Sequence, residues 1–354
     1  MDFLVKRDDL HETRIDDSDA PELEEGQALL KVDKFGLTTN NITYALMGDA
    51  MDYWNFFPAP DGWGRVPMWG YGDVVATEAD GVEEGTRVFG YLPPSTYLVV
   101  QPDRPSETDF VDATPFRADL PAAYNRYLRT AGDEMYDEAN EDEQMLLWPL
   151  FFTSWLIDDF IDDEELFGAD VAVLSSASSR TSSALAHLLA RRDLEVIGLT
   201  SAGNAEFVES LGPYDRTVAY EDIGKLKAAP AIYVDMSGDA KVRSAVHETY
   251  GGELKHSAVV GMTHREDLGG VEGLPGPRPK FFFAPTRLKQ RAKDWGAEGF
   301  NTRIAADWPA YVAWVKGWLE VSHHEGPDEL QRIYLETLDG KSDPAVGHVI
   351  SLPA

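Results

Sequence analysis

The chain has 354 residues, no cysteine, and 62 acidic against 31 basic side chains, giving a formal net charge of −31. That balance excludes nucleic acid as a partner, since a phosphate backbone demands a basic face; the missing thiols exclude disulfides, thiolate catalysis and cysteine-based zinc sites. The length suits two domains or one large one, and with neither an apolar signal segment nor a bilayer-length apolar run the sequence reads as a cytoplasmic protein without a membrane partner.

Residues 1–144 read as mostly β. The runs ALLKV (28–32), DVVA (73–76), RVFGY (87–91) and YLVVQ (97–101) are separated by Gly, Pro and acidic turns, which suggests a small antiparallel barrel. Within FGLTTNNITYALMGD (35–49), Asn41 could orient a carbonyl or a cofactor amide. Tyr44 could donate a proton to a developing enolate or alkoxide. An Asn-rich helix cap followed by a core tyrosine explains the same residues. Residues 51–69 hold Tyr53, Trp54, Phe56, Phe57, Trp63 and Trp69 among three prolines. They read either as a plug over one end of the barrel or as an aromatic wall of a substrate cleft.

The stretch DEMYDEANEDE (133–143) reads as an acidic loop, and LLWPLFFTSWLIDDF (146–160) as a buried helix joining two domains. From residue 170 the pattern alternates strand and helix. Strands are expected at 171–174, 195–200, 217–219, 231–235 and 257–261, with another at 281–283. Such alternation argues for a parallel, doubly wound sheet. Residues 306–323 carry Trp308, Tyr311, Val312, Val315 and Leu319 on one helical face. A closing strand is expected at 346–352.

The organising stretch is DVAVLSSASSRTSSALA (170–186). A buried strand, a serine-rich turn and a helix beginning inside that turn form the layout that holds a dinucleotide pyrophosphate. No glycine stands between Ser175 and Ala184, so serine hydroxyls and Arg180 would supply the donors that bare main chain ordinarily gives. They could equally fill the phosphate space, leaving a plain capped turn of an α/β fold, or the helix end could take an acyl-phosphate or acyl-CoA. After the second strand come Thr200, Ser201, Ala202, Gly203 and Asn204, with no carboxylate to grip a ribose 2′-hydroxyl or repel a 2′-phosphate, which favours NADP over NAD. The segments 235–238, with Ser237, and 261–263, with Gly261, follow strands at the ligand-binding edge of the sheet. No metal site is expected: His323 and His324 would diverge on a helix, and His247, His256 and His264 lack a carboxylate or thiolate at ligand spacing. The acids are dispersed along the chain, as on proteins of salt-loving organisms, where screening tolerates self-repulsion. An ordinary acidic protein with one acidic loop is the alternative.

The order of these features resembles the medium-chain dehydrogenase/reductase superfamily, in particular its zinc-independent quinone oxidoreductase-like branch. LEEGQALLKV (23–32), VEEGTRVFG (82–90), VLSSASSRTSSALA (173–186), VEGLPGPRPKFFFAP (271–285) and GHVISL (347–352) carry the likeness. It implies a GroES-like barrel over residues 1–145, a Rossmann-type domain over 146–290, and a segment 291–354 returning to the barrel. It implies NADP(H) in the interdomain cleft and hydride transfer to a carbonyl, quinone or activated alkene of a small-molecule substrate, in a homodimer. The positions matching its cofactor contacts are Ala177, Ser178, Ser179, Arg180, Thr181, Thr200, Ser201, Tyr220, Ser237 and Gly261. The family's zinc-binding cysteines and His-Glu pair are missing. The glycine-free turn leaves a second reading, a catalytically inactive binding protein on the same fold with no bound cofactor.

Overall fold

The ten-residue strand Ala28–Leu37 buries both of its apolar ends and forms the spine of the first of two units. A computed structural model describes residues 1–17, 19–133, 135–260 and 273–353 of the chain. The first unit comprises Met1–Leu146 with Leu319–Ala354, and the second Leu147–Trp318.

In the first unit Ala28–Leu37 pairs antiparallel with Met68–Thr77, with Tyr97–Val100 and with the closing strand Val346–Ser351. Gly70 permits the closest of these approaches: a Cβ there would lie 2.3 Å from the Lys34 carbonyl oxygen. The sheet continues through Arg87–Leu92, Arg126–Arg129 and Asp109–Asp112. The helix Pro327–Leu338 packs its Tyr334 ring on Phe3, 5.4 Å between centroids.

In the second unit, six parallel strands are found among the described residues. Their order is Arg216–Ala219, Glu195–Thr200, Val171–Leu174, Ala231–Asp235, Leu254–Val259 and Lys280–Phe281. Numbered along the chain this is 3-2-1-4-5-6, the order of a doubly wound Rossmann sheet. Apolar clusters cover both faces, one around Leu174, Leu185 and Val196, the other around Val173, Ile197 and Tyr233, as a buried parallel sheet requires.

Two local expectations give way. The helix expected over 306–323 begins at Ala284 and stops at Val315, so His323 and His324 lie on the strand Glu320–Glu325. Alternation along a strand, rather than divergence on a helix, separates their side chains. The acidic stretch 133–143 is no simple loop. Its last residues open the helix Glu141–Asp163, and Glu141 is buried beneath Arg87 and Tyr136. Of the aromatic stretch, Tyr53, Trp54, Phe56 and Phe57 are buried, and Trp63 and Trp69 are half-buried.

Between helix and sheet, Glu165, Leu166 and Phe167 take φ of 50°, 56° and 55°, followed by Gly168 at 64°. Three consecutive non-glycine residues in the left-handed region are costly. Phe167 holds the turn from outside it, stacking on His256 at 4.1 Å and 15°.

Candidate functional site

The strand Val171–Leu174 ends at Ser175, which is fully buried. The next residue, Ser176, adopts φ 54°, the conformation a glycine ordinarily provides. Its N–H donates to the Tyr220 hydroxyl at 3.1 Å, and the Ala177 N–H donates to the Leu199 carbonyl at 3.0 Å. Ala177 points down onto the sheet. A Cβ on Gly198 would come within 2.9 Å of the Ala177 methyl, so only glycine lets the turn sit this low. Ser179 caps the helix Arg180–Leu189, its hydroxyl accepting from the Ser182 N–H at 3.2 Å.

What remains is a set of donors. The Ser178 hydroxyl accepts from the Asn204 amide at 3.2 Å, and the Ser179 hydroxyl accepts as the cap. Each therefore keeps its own proton for an anion. The N–H groups of Ser178 and Thr181 take no partner among the described residues.

Arg180 shares a helical stripe with His187, and Arg191 follows just past the helix end. His187 stacks on Trp314 at 4.8 Å and Arg191 pairs with Asp307, so this stripe faces the helix Ala284–Val315. The Arg180 guanidinium lies within electrostatic reach of the Tyr311 phenol, and burial pushes its pKa down to about 10. The residues thus fit a diphosphate at the helix N-terminus, through two hydroxyls and two N–H groups rather than through glycine main chain.

Among the other expected positions, Tyr220 and Ser237 bond to this turn. Thr200 is buried at the end of its strand, and Ser201 is exposed just beyond it. Burial pushes the Tyr220 phenol above its ordinary value. Ser237 donates from N–H and hydroxyl to Asp235 Oδ1, at 3.0 and 2.8 Å. Gly261 lies outside the described residues. Asp235 belongs to the expected segment 235–238, whereas Ser175 and Arg243 join it only in the fold. The sequence signal for Ser175 and Asp235 is a polar residue at the end of each of two neighbouring strands, and Arg243, on the helix Ala240–Tyr250, carries none.

Asn41 and Tyr44 belong to the first unit, on the helix Thr39–Leu46. The Asn41 carbonyl oxygen accepts from the Thr38 N–H at 2.7 Å and its hydroxyl at 3.1 Å, and its amide donates to the Pro67 carbonyl at 2.9 Å. One amide hydrogen is left to offer. The Tyr44 oxygen accepts from Asn40 Nδ2 at 2.7 Å and lies 3.3 Å from Trp69 Nε1. Burial raises its pKa above the ordinary phenol value, so the hydroxyl keeps its proton. Among the described residues no group of three or more His, Cys, Asp or Glu side chains could hold a metal ion, and no helix is long and apolar enough to cross a membrane.

The family model described as "Protein of unknown function (DUF2855)" matches residues 35–343. No curated protein matches the chain. Among solved structures it is similar to CurA from Vibrio vulnificus in complex with NADPH, at 15% identity and TM-score 0.63, over 97% of this chain and 94% of that one. YhdH from E. coli K-12 with bound NADPH aligns at 16% identity and TM-score 0.58, and the quinone oxidoreductase from Coxiella burnetii at 14% and 0.57, each over 99% of both chains. Likeness at such identities establishes the fold alone, a GroES-like barrel with a Rossmann-type sheet.

Proposed function

Since the chain belongs to the DUF2855 family and carries this two-domain fold, we propose that it is an NADP(H)-dependent, zinc-independent reductase of a small carbonyl, quinone or activated alkene. The observation that carries the reading is the turn at 175–181. It opens at the carboxyl end of a parallel strand, leads into a helix N-terminus, and leaves the Ser178 and Ser179 hydroxyls and the Ser178 and Thr181 N–H groups ready for an anion. Ala177 seats the turn, and Arg180 adds positive charge from its flank. Thr200, Ser201 and Tyr220 flank the ribose side, where no carboxylate in 200–204 repels a 2′-phosphate. Ser237, which bonds to Ser175 and Asp235 at the end of the neighbouring strand, would face the rest of the dinucleotide. CurA and YhdH, which share the fold, are described with NADPH bound.

Bound NADPH would supply the hydride. Tyr44 keeps its proton at working pH and delivers it to the oxygen or carbon that becomes negative. Asn40 and Trp69, aimed at the Tyr44 oxygen, steady the phenolate left behind, and Asn41 holds the helix that presents it.

The test is titration of the purified protein with NADPH and with NADH in molar KCl, followed by nucleotide fluorescence. Saturable binding, tighter for NADPH, is expected. No binding of either at millimolar concentration overturns the reading. One observation favours a second reading, a binding protein without activity: Tyr220 and Leu199 already occupy two N–H groups of the turn. On that reading neither nucleotide binds.

A further inference from the structure

A left-handed serine is held in place only if its neighbours over-determine it. The residue before Ser176 does so through a buried carboxylate. Ser175 Oγ donates to Asp235 Oδ1 at 3.0 Å and accepts from the Met236 and Ser237 N–H groups at 2.9 and 3.1 Å. The same Oδ1 also accepts from the Ser237 N–H and hydroxyl and from the Gly238 N–H at 3.1 Å. Oδ2 accepts from Arg243 Nε at 2.8 Å, and both side chains of that pair are essentially sealed from solvent. A carboxylate this deep is tolerable only when fully partnered, and here the partners are the ends of two adjacent strands and the helix Ala240–Tyr250.

We infer that Ser175 and Asp235 are positioning residues for the pyrophosphate turn: the Asp235 carboxylate, anchored by Arg243, holds Ser175 and thereby keeps Ser176 left-handed. The glycine-free turn needs this brace because Ser176 does not favour that conformation by itself. With the brace in place, the Ser178 and Thr181 donors stand in register for an anion. This inference rests on the cofactor reading above.

The experiment measures NADPH dissociation constants in molar KCl for the wild type, Ser175→Ala, Ser176→Gly and the double variant. Ser175→Ala is expected to weaken binding at least tenfold. Ser176→Gly is expected to bind within threefold of the wild type, and the double variant to recover to that level, because glycine takes the left-handed conformation unaided. A merely structural role for Ser175 would not be rescued by a glycine one residue away. Ser175→Ala binding within twofold of the wild type overturns the inference, as does a loss the glycine fails to restore. If Ser175→Ala does not fold, Ser176→Gly is compared with the double variant: equal affinities support the brace, and a tenfold gap overturns it. A wild type that binds no NADPH instead overturns the cofactor reading, and the inference falls with it.

Discussion

Asp112 and Arg117 meet at 2.6 Å with 1% of each side chain exposed. The guanidinium also donates to Asn125 Oδ1 and to the Tyr124 carbonyl, and lies 5.0 Å from the Phe57 ring. Removing one member strands the other charge in the barrel unit. Arg117→Ala should therefore cost about 3–5 kcal/mol in urea unfolding. The double variant Asp112→Asn/Arg117→Met leaves no uncompensated charge and should lose less than the single. A single variant within 1 kcal/mol of the wild type, on the order of a surface pair's worth, would show that water reaches the site.

Tyr44 and Asn41 are neighbours on one helix, yet their variants should fail differently. Tyr44→Phe keeps the ring packing and removes the proton. We expect kcat to fall roughly 100-fold, with NADPH affinity unchanged. Asn41→Ala removes the capping box at Thr38 and the bond to Pro67, at about 1–2 kcal/mol of stability. A Tyr44→Phe enzyme with full kcat would remove Tyr44 from the chemistry.

His256 sits in the ring stack with Phe167, and burial, aided by Lys280, pushes its pKa down to about 4. Its folded value lies below its unfolded one near 6.5, so the unfolded chain takes up the proton first as pH falls. Stability from this group is intact above pH 6.5 and is lost between there and about pH 4, by on the order of 3 kcal/mol. Unfolding free energy against pH should fall less steeply over that window for His256→Phe, which keeps the stack. Parallel curves for the two proteins would contradict the assignment.

Glu165 is exposed and stands at φ 50°. Glu165→Gly relieves a left-handed conformation without removing a buried contact. It should stabilise the protein by up to about 1 kcal/mol, read as a higher melting temperature in calorimetry. A lower one would mean that the carboxylate supports the turn.

With 62 acids against 31 bases, half of the carboxylates have no cation to pair with. Screening shrinks the range of their repulsion from about 10 Å at 0.1 M salt to about 3 Å at 1 M. The melting temperature should rise steadily between these concentrations, as expected of a halophilic protein. A melting temperature that falls with salt would mean that the surface ion pairs outweigh the excess charge.

Local pattern was enough to place the strand, the serine turn and the helix around Ser175, and the strand-helix alternation that becomes the 3-2-1-4-5-6 sheet. Periodicity and turn chemistry act over a few residues, and a doubly wound sheet repeats them. Missing cysteines likewise settled the question of thiolate chemistry before any fold was known. The tertiary structure alone decided how the polar side chains are spent. Asn41 commits its amide to Pro67, 26 residues away, and Ser175 reaches an Asp235 carboxylate 60 residues along the chain. The same holds for Arg180, brought near Tyr311 of a helix that begins a hundred positions later, and for His323 and His324, drawn onto a strand by pairing with Val346–Ser351. These long-range contacts are set by which groups folding brings together, and no short window of sequence contains both partners.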